Sequence, residues 1–273
     1  MNQASNYKAY DIDYHITEIY DQIETQTEDI SLIKDLIGVN RSLRILEPFC
    51  GNGWILVPLA QDGHEIVGID KSAPMLESAR DKIRKLPQNV RNNIILHQAN
   101  VLTHEWPQDF DLVILGGNCL YELATPEEQE KCVSLARNTL KANGYLYLDN
   151  NHMEGDLNPE WRKSAILENT FPTGVCSDGT QVRVTTQTIW YDAENRLTRS
   201  RRTVEIITPN GNTLKKEWIE GCHAPSTFEM KAWLSKYGFN IENIWGDRNK
   251  SPYTDDSPQA VFWAKLVKKL GTA

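Results

Sequence analysis

Ile45-Leu46-Glu47-Pro48-Phe49-Cys50-Gly51-Asn52-Gly53, followed by Ile66-Val67-Gly68-Ile69-Asp70, is the stretch that decides the fold of this chain. A short strand runs through Arg44 to Leu46. Two glycines then let the backbone turn tightly and approach a ligand at points where a Cβ would stand in the way. The apolar run Ile55, Leu56, Val57, Leu59, Ala60 predicts a helix that stops at Asp62-Gly63, and a second apolar strand carries Asp70 at its carboxyl end. A carboxylate at that position suits the paired hydroxyls of a ribose, because it accepts two hydrogen bonds at once. The segment reads as the nucleoside-binding start of a βαβ unit.

Two cofactor classes use such a start. A dinucleotide site has a third glycine for close helix–strand packing around a pyrophosphate, and here Leu56 stands in its place. Glu47 would repel a pyrophosphate but would steady a cation or an ammonium group. The combination favours S-adenosylmethionine over NAD. The pattern Glu47-x-x-Cys50-Gly51-x-Gly53 resembles motif I of class I S-adenosylmethionine-dependent methyltransferases, and Asp70 resembles their ribose-binding acid. The resemblance implies a doubly wound, Rossmann-like α/β sheet.

Composition narrows the alternatives. The 273 residues, 40% of them hydrophobic, can bury one domain, or one domain with a large insertion. The formal net charge of -8 disfavours a nucleic-acid partner, since phosphate neutralisation needs a basic face. Cys50, Cys119, Cys132, Cys176 and Cys222 are odd in number and widely spaced, as expected for reduced thiols in a cytoplasm. The histidines form no ligand spacing, so no metal is expected. Neither a signal peptide nor a membrane span is read in the chain.

From Arg44 the pattern alternates: strand 43 to 47, helix about 54 to 61, strand 65 to 70, helix 74 to 86, strands 93 to 97 and 111 to 115, helix 126 to 141, strand 144 to 149. Such alternation implies a parallel sheet with helices on both faces. Residues 181 to 222 read instead as three antiparallel strands joined by the turns Asp192-Ala193-Glu194-Asn195 and Pro209-Asn210-Gly211-Asn212. Pro225-Ser226-Thr227 opens a further helix, and two strands, about 239 to 246 and 259 to 267, complete the main sheet. The expected organisation is an N-terminal helical cap over 1 to 40 and a methyltransferase domain over 41 to 273. Residues 151 to 224 form an antiparallel insertion lining or roofing the acceptor site. For the first segment two readings stand, a cap over the cofactor and helices packed on the sheet edge.

The order of features over 41 to 267 resembles the glycine N-methyltransferase group of small-molecule methyltransferases, through Cys50 to Gly53, Asp70 to Met75, Ala99-Asn100, Gly117-Asn118, Asp149, Gly246-Asp247 and Pro252-Tyr253. By that resemblance Asp70 holds the ribose, Asn100 the adenine edge and Met75 its face, while Asn118 lies beside the acceptor. Glu47, Cys50, Gly51, Gly53, Lys71, Val101 and Gly116 complete the expected cofactor set. One departure stands out. Where glycine-methylating enzymes grip the substrate carboxylate with an arginine, this chain has Asp149-Asn150-Asn151-His152, and an Asn side chain forms no charged fork. Glycine is therefore not the expected acceptor, although Arg199 or Arg201 on an insertion strand would offer a substitute.

Methyl transfer to a neutral amine needs alignment and exclusion of water more than proton transfer. Asn118, Glu122 and His152 are the expected catalytic positions, and Tyr14, Tyr20, Asn151, Arg201 and Tyr253 the expected acceptor contacts. The reading is methylation of a small polar molecule at an amine nitrogen. O-methylation of a carboxylate or hydroxyl is its nearest rival, with a binding module without turnover and a nicotinamide dehydrogenase behind. Oligomeric state stays open.

Overall fold

In the computed structural model, residues 14–23, 25–39, 41–151 and 165–267 are described. The first half of the chain contains α1 (Tyr14–Ile23), α2 (Glu28–Ile37), β1 (Arg44–Pro48), α3 (Leu56–Gln61), β2 (Glu65–Asp70), α4 (Ala73–Arg84), α5 (Gln88–Arg91), β3 (Ile94–Gln98), β4 (Phe110–Leu115), α6 (Pro126–Thr139) and β5 (Leu140–Asn151). The second contains β6 (Ile166–Leu167), β7 (Gly174–Val175), β8 (Gln181–Asp192), β9 (Leu197–Ile207), β10 (Thr213–His223), α7 (Thr227–Lys236), β11 (Phe239–Trp245) and β12 (Gln259–Leu266). The chain divides into two compact units: Met1–Thr25 with Gly155–Ala224, and Gln26–Glu154 with Pro225–Ala273. The 1 to 40 segment is divided between them, α1 belonging to the first and α2 to the second.

The larger unit is a seven-stranded sheet in the order β11-β12-β5-β4-β1-β2-β3. Strands β1 to β5 run parallel; β12 runs antiparallel to β5, and β11, antiparallel to β12, points the same way as β1 to β5. Successive residues of a strand point to opposite faces, and the buried pairs sort accordingly. Leu46, Val67, Val113 and Leu148 pack in one core with Val133 and Ala136 of α6 and Met230 and Leu234 of α7. Their chain neighbours Ile45, Ile66, Leu112 and Tyr147 pack in another with Ile33 of α2 and Leu56 and Leu59 of α3. This is the doubly wound architecture, with apolar side chains on both faces of its central strands.

The helix starts follow local chemistry. Ser72 accepts the Met75 N–H with Pro74 in the first turn, Thr125 accepts the Glu128 N–H with Pro126 next to it, and Ser226 and Glu229 form a reciprocal capping box. Among the boundaries that differ from the sequence reading, two have a plain local cause. Helix α3 begins at Leu56, not at 54, because Asn52 Oδ1 accepts the Trp54 N–H and holds that residue in the turn. Helix α6 ends at Thr139, because Leu140 already pairs with Phe110; the ladder then shifts register before Leu112 meets Tyr145, with Asn143 at φ 64°.

Gly68, in the middle of β2, faces a closed wall. A Cβ there would lie 2.7 Å from Cys50 Sγ, 2.7 Å from Leu56 Cδ1 and 2.9 Å from Leu96 Cδ2. Gly68→Val is expected to destabilise the protein by about 1 to 3 kcal/mol through overpacking, measured by urea unfolding. A loss below about 0.5 kcal/mol, typical of surface changes, would mean that α3 yields without strain.

The smaller unit pairs β10, β9 and β8 antiparallel, with β6 and β7 both against β8. Ile16 and Ile19 of α1 pack on Val182, Val184, Val204 and Ile206 of this sheet. The two short strands β6 and β7 were not expected from sequence.

Candidate active site

The carboxyl ends of β1, β2, β4 and β5 carry the candidate residues. After β1 the chain turns through Phe49 (φ 63°), Gly51 (φ 49°) and Gly53 (φ 76°). The two glycines differ in purpose. A Cβ on Gly53 would meet Val57 Cγ2 at 3.3 Å and Ala79 Cβ at 3.4 Å, so Gly53 serves the packing of α3 on α4. A Cβ on Gly51 would meet nothing within 4 Å, so its left-handed backbone borders open space. Asp70 closes the turn from the next strand: Oδ2 accepts the Gly51 N–H at 2.9 Å, and Oδ1 accepts the Ser72 N–H at 2.8 Å. Cys50 is buried, its backbone N–H on Ile69 O, and burial pushes its thiol well up. It is a packing residue of the turn and no nucleophile. Lys82 Nζ, 3.1 Å from Asn52 O, ties α4 to the same loop.

Glu47 lies under this turn, 5% exposed, and its Oε2 has no hydrogen-bond partner among the described residues. Burial, and then the nearby Asp29 and Asp70 carboxylates, push its carboxyl well above the ordinary range, with the Leu56 N–H opposing. Asp29, in the first turn of α2, is raised too, by burial against the pull of Arg248. An acid-rich, partly desolvated floor of this kind favours protons or a cation above it.

Asn118 follows β4 in the left-handed conformation, φ 60°. Its backbone N–H donates to Asp149 Oδ1 at 3.2 Å, and its Oδ1 accepts the Asn151 N–H at 3.0 Å, so two expected site residues from different strands meet. Asp149, 1% exposed, also accepts the Tyr147 hydroxyl at 3.1 Å and Arg248 Nε at 2.8 Å. Burial pulls the Arg248 guanidinium down, and Asp149, through its charge and hydrogen bond, together with Asp29 and Tyr147, outweighs it and leaves the group raised. Burial and the Asp149 charge push the Tyr147 phenol well up, so it stays a donor. Sequence reasoning gave Asp149 no role and missed Arg248, Tyr147 and Asp29. The available signal was a carboxylate inside an otherwise apolar strand, which requires a partner.

The remaining expected residues scatter. Asn100 is exposed, its Oδ1 accepting the Leu102 N–H at 2.8 Å, while Val101 and Met75 are buried beside that edge of the sheet. Lys71 is exposed after Asp70. Gly116 follows β4 directly, and a Cβ there would stand 3.0 Å from Ile55 Cδ1. Glu122 closes the 3-10 turn Cys119–Glu122. The Tyr253 hydroxyl donates to Thr227 Oγ1 at 3.0 Å and packs at the α7 start, an observed structural role. Tyr14, Tyr20 and Arg201 belong to the smaller unit. There Tyr20 meets Phe171 edge-on at 5.3 Å, and Tyr14 stands edge-on to His15. Arg201 donates to Gln187 Oε1 at 3.1 Å and pairs with Glu217 at 3.4 Å, and Arg199 lies over the Trp190 ring, so the arginine clamp meets partners within its own sheet. His152 lies outside the described residues. No helix among the described residues is long and apolar enough to cross a membrane.

A glycine-led turn closed by a strand-end aspartate, on a seven-stranded sheet of this order, defines a nucleoside-cofactor α/β enzyme class. Residues 40–205 match the family model described as "Methyltransferase domain", and the chain belongs to that family. It is 26% identical over 231 residues to a protein of Geobacillus sp. (strain WCH70) whose name gives it as a candidate methyltransferase, covering 84% of this chain and 86% of that protein. Among solved structures, the sugar N-methyltransferase KedS8 from Streptoalloteichus sp. ATCC 53650 superposes with a TM-score of 0.67 at 16% identity, over 91% of each chain. S-adenosylmethionine-bound CalS10, an amino pentose methyltransferase from Micromonospora echinaspora, gives 0.62 at 18% identity, over 90% of this chain and 94% of that one. The protein is a class I methyltransferase with S-adenosylmethionine as its cofactor.

Proposed function

We propose that this methyltransferase modifies a small polar acceptor at an amine nitrogen, and that residues 151 to 224 are an accessory insertion to the cofactor-binding sheet. The observation that carries the reading is Asn118, fixed at both its backbone and its side chain by Asp149 and Asn151 where β4 and β5 end. An Asn anchored in this way offers its amide N–H2 to an acceptor as a rigid, uncharged donor, which orients a neutral molecule better than it grips a carboxylate. The names of KedS8 and CalS10 support nitrogen and an amino-bearing acceptor. They carry the resemblance to the glycine N-methyltransferase group no further than methylation of an amine.

The cofactor suits the residues present: the open space at Gly51, the Asp70 carboxylate beside it and the unsatisfied Glu47 oxygen each match a part of it. In this reading Gly51 and Asp70 hold the ribose, Asn100, Val101 and Met75 the adenine, and Glu47 and Gly116 the methionine end. Bound there, S-adenosylmethionine supplies an electrophilic methyl group on a sulfonium. The residues of the chain contribute by holding, drying and orienting. Asn118 aligns the acceptor, the buried shell around Tyr147 and Asp149 keeps that alignment from relaxing, and Glu122 or His152 takes the proton of the methylated amine through water.

Asn118→Ala is expected to lower methyl transfer by about 10- to 100-fold while cofactor affinity stays within about 1 kcal/mol, since the lost contacts are on the acceptor side. Calorimetry with S-adenosylhomocysteine and turnover on matched amine, hydroxyl and carboxylate acceptors measure the two effects. A parallel collapse of cofactor binding would reject the role of Asn118. Turnover on hydroxyl or carboxylate acceptors alone would reject nitrogen.

A further inference from the structure

The smaller unit contains a cluster of three side chains of metal-ligating type, His15, Glu18 and Cys176. His15 and Glu18 are three residues apart on α1, and that spacing presents both on one helix face. Cys176, 4% exposed, comes from the turn that follows β7 and approaches the same face. One ligand atom from each, an imidazole nitrogen, a carboxylate oxygen and the thiol sulfur, lies within 4.8 Å of the other two. The turn is itself tightly built: Cys176 N–H donates to Thr180 O at 2.8 Å and Gly179 N–H to Cys176 O at 2.9 Å. The Ser177 N–H holds Glu18 Oε1 at 2.7 Å, and Gln22 Nε2 donates to the same oxygen at 3.3 Å.

Internal hydrogen bonds leave one group of this cluster unaccounted for. His15 Nδ1 is buried and has no partner among the described residues, although it lies beside a thiol and a carboxylate. Cys176 Sγ lies 3.5 Å from the His15 carbonyl oxygen, which brings the thiol to the first turn of α1. A buried imidazole nitrogen without a partner is costly, and a metal ion would satisfy it.

We propose that His15, Glu18 and Cys176 bind one zinc ion, with water in the fourth position, fastening α1 to the turn after β7. Thiolate with imidazole is a borderline-soft set that suits zinc and excludes magnesium and calcium, which take oxygen ligands. Ligand atoms around tetrahedral zinc stand about 3.3 to 3.6 Å apart, given Zn–S of about 2.3 Å and Zn–N or Zn–O of about 2.0 to 2.1 Å. From separations of at most 4.8 Å, the ligand atoms close by no more than about 1.5 Å to reach that geometry. The thiolate and carboxylate charges neutralise the ion, and the Ser177 N–H orients the carboxylate from behind. This site is independent of the acceptor reading.

The test uses the untagged full chain, stripped with a chelator and dialysed against Zn2+ or Co2+. The expected result is one zinc retained per chain after gel filtration, and a thiolate-to-metal charge-transfer band in the Co2+ form. Cys176→Ser should abolish the band, His15→Gln and Glu18→Gln should each weaken zinc binding at least about tenfold, and Cys222→Ser should change neither. If Cys176→Ser fails to fold, the two α1 variants decide the matter, since both alter side chains that are only partly buried. Failure to retain zinc, or retention unchanged in His15→Gln and Glu18→Gln, overturns the proposal.

Discussion

Arg248→Met is expected to cost about 3 to 5 kcal/mol of folding stability, the range for removing one partner of a buried ion pair. Asp149 is the reason. Its carboxylate is 1% exposed and its only cationic partner among the described residues is Arg248, at 2.8 Å. The Tyr147 hydroxyl and the Asn118 N–H remain as donors, but two neutral donors do not offset a desolvated charge. Urea unfolding measures the loss. The double variant Arg248→Met with Asp149→Asn should recover much of it, because the buried charge goes with its partner. A single-variant loss under about 1 kcal/mol would match an exposed pair and would mean that water reaches Asp149. Turnover should fall in the single variant as well, since Asp149 anchors the Asn118 backbone.

Asp70→Ala is expected to weaken S-adenosylmethionine binding by about 3 kcal/mol, roughly 100-fold. On the proposed assignment the carboxylate meets the ribose, and it already accepts the Gly51 and Ser72 N–H groups. Hydrogen bonds to a charged acceptor are worth about 1.5 to 3 kcal/mol each. Their loss would loosen the glycine turn and the start of α4 together. Asp70→Asn should do nearly as badly, because an amide has one acceptor oxygen where two N–H groups converge on two. Calorimetry and melting of the cofactor-free protein separate the contributions. An unchanged cofactor-free melting temperature with weakened binding would confine Asp70 to the ribose. Unchanged affinity would remove it from the cofactor site.

The centre of the sheet was legible because β2, β4 and β5 carry short apolar runs, Ile66 to Ile69, Leu112 to Leu115 and Tyr145 to Leu148, too short for a helix and ending at Asp70, Gly116 and Asp149. The glycine turn was legible as a turn, yet the division of labour between Gly51 and Gly53 was not, since it depends on Val57 and Ala79 arriving from other elements. The insertion strands followed from their turns, whereas β6 and β7, two residues each, have too little pattern to detect. The division of residues 1 to 40 was hidden for a similar reason. Helices α1 and α2 are both amphipathic, and periodicity does not say which sheet an apolar face will meet. Asn118 was singled out from sequence, but its clasp by Asp149 and Asn151 joins residues more than thirty positions apart. Arg201 misled for the opposite reason. A charge on a hairpin looks available until Gln187 and Glu217 are seen beside it.

Strand β12 lies between β5 and β11, although it follows both in the chain. During synthesis on the ribosome, β5 therefore waits with a bare edge while the whole insertion, α7 and β11 are made, and β11 has no place in the sheet until β12 arrives. The segment that fills the gap, Ala260 to Ala264, is apolar on both faces and ends up fully or nearly fully buried. The nascent chain thus holds an unpaired β5 edge and then emits a sticky strand that alone can cap it, the circumstance in which neighbouring chains on a polysome compete for the same edge. The seven-stranded sheet is complete only once β12 has found its own β5.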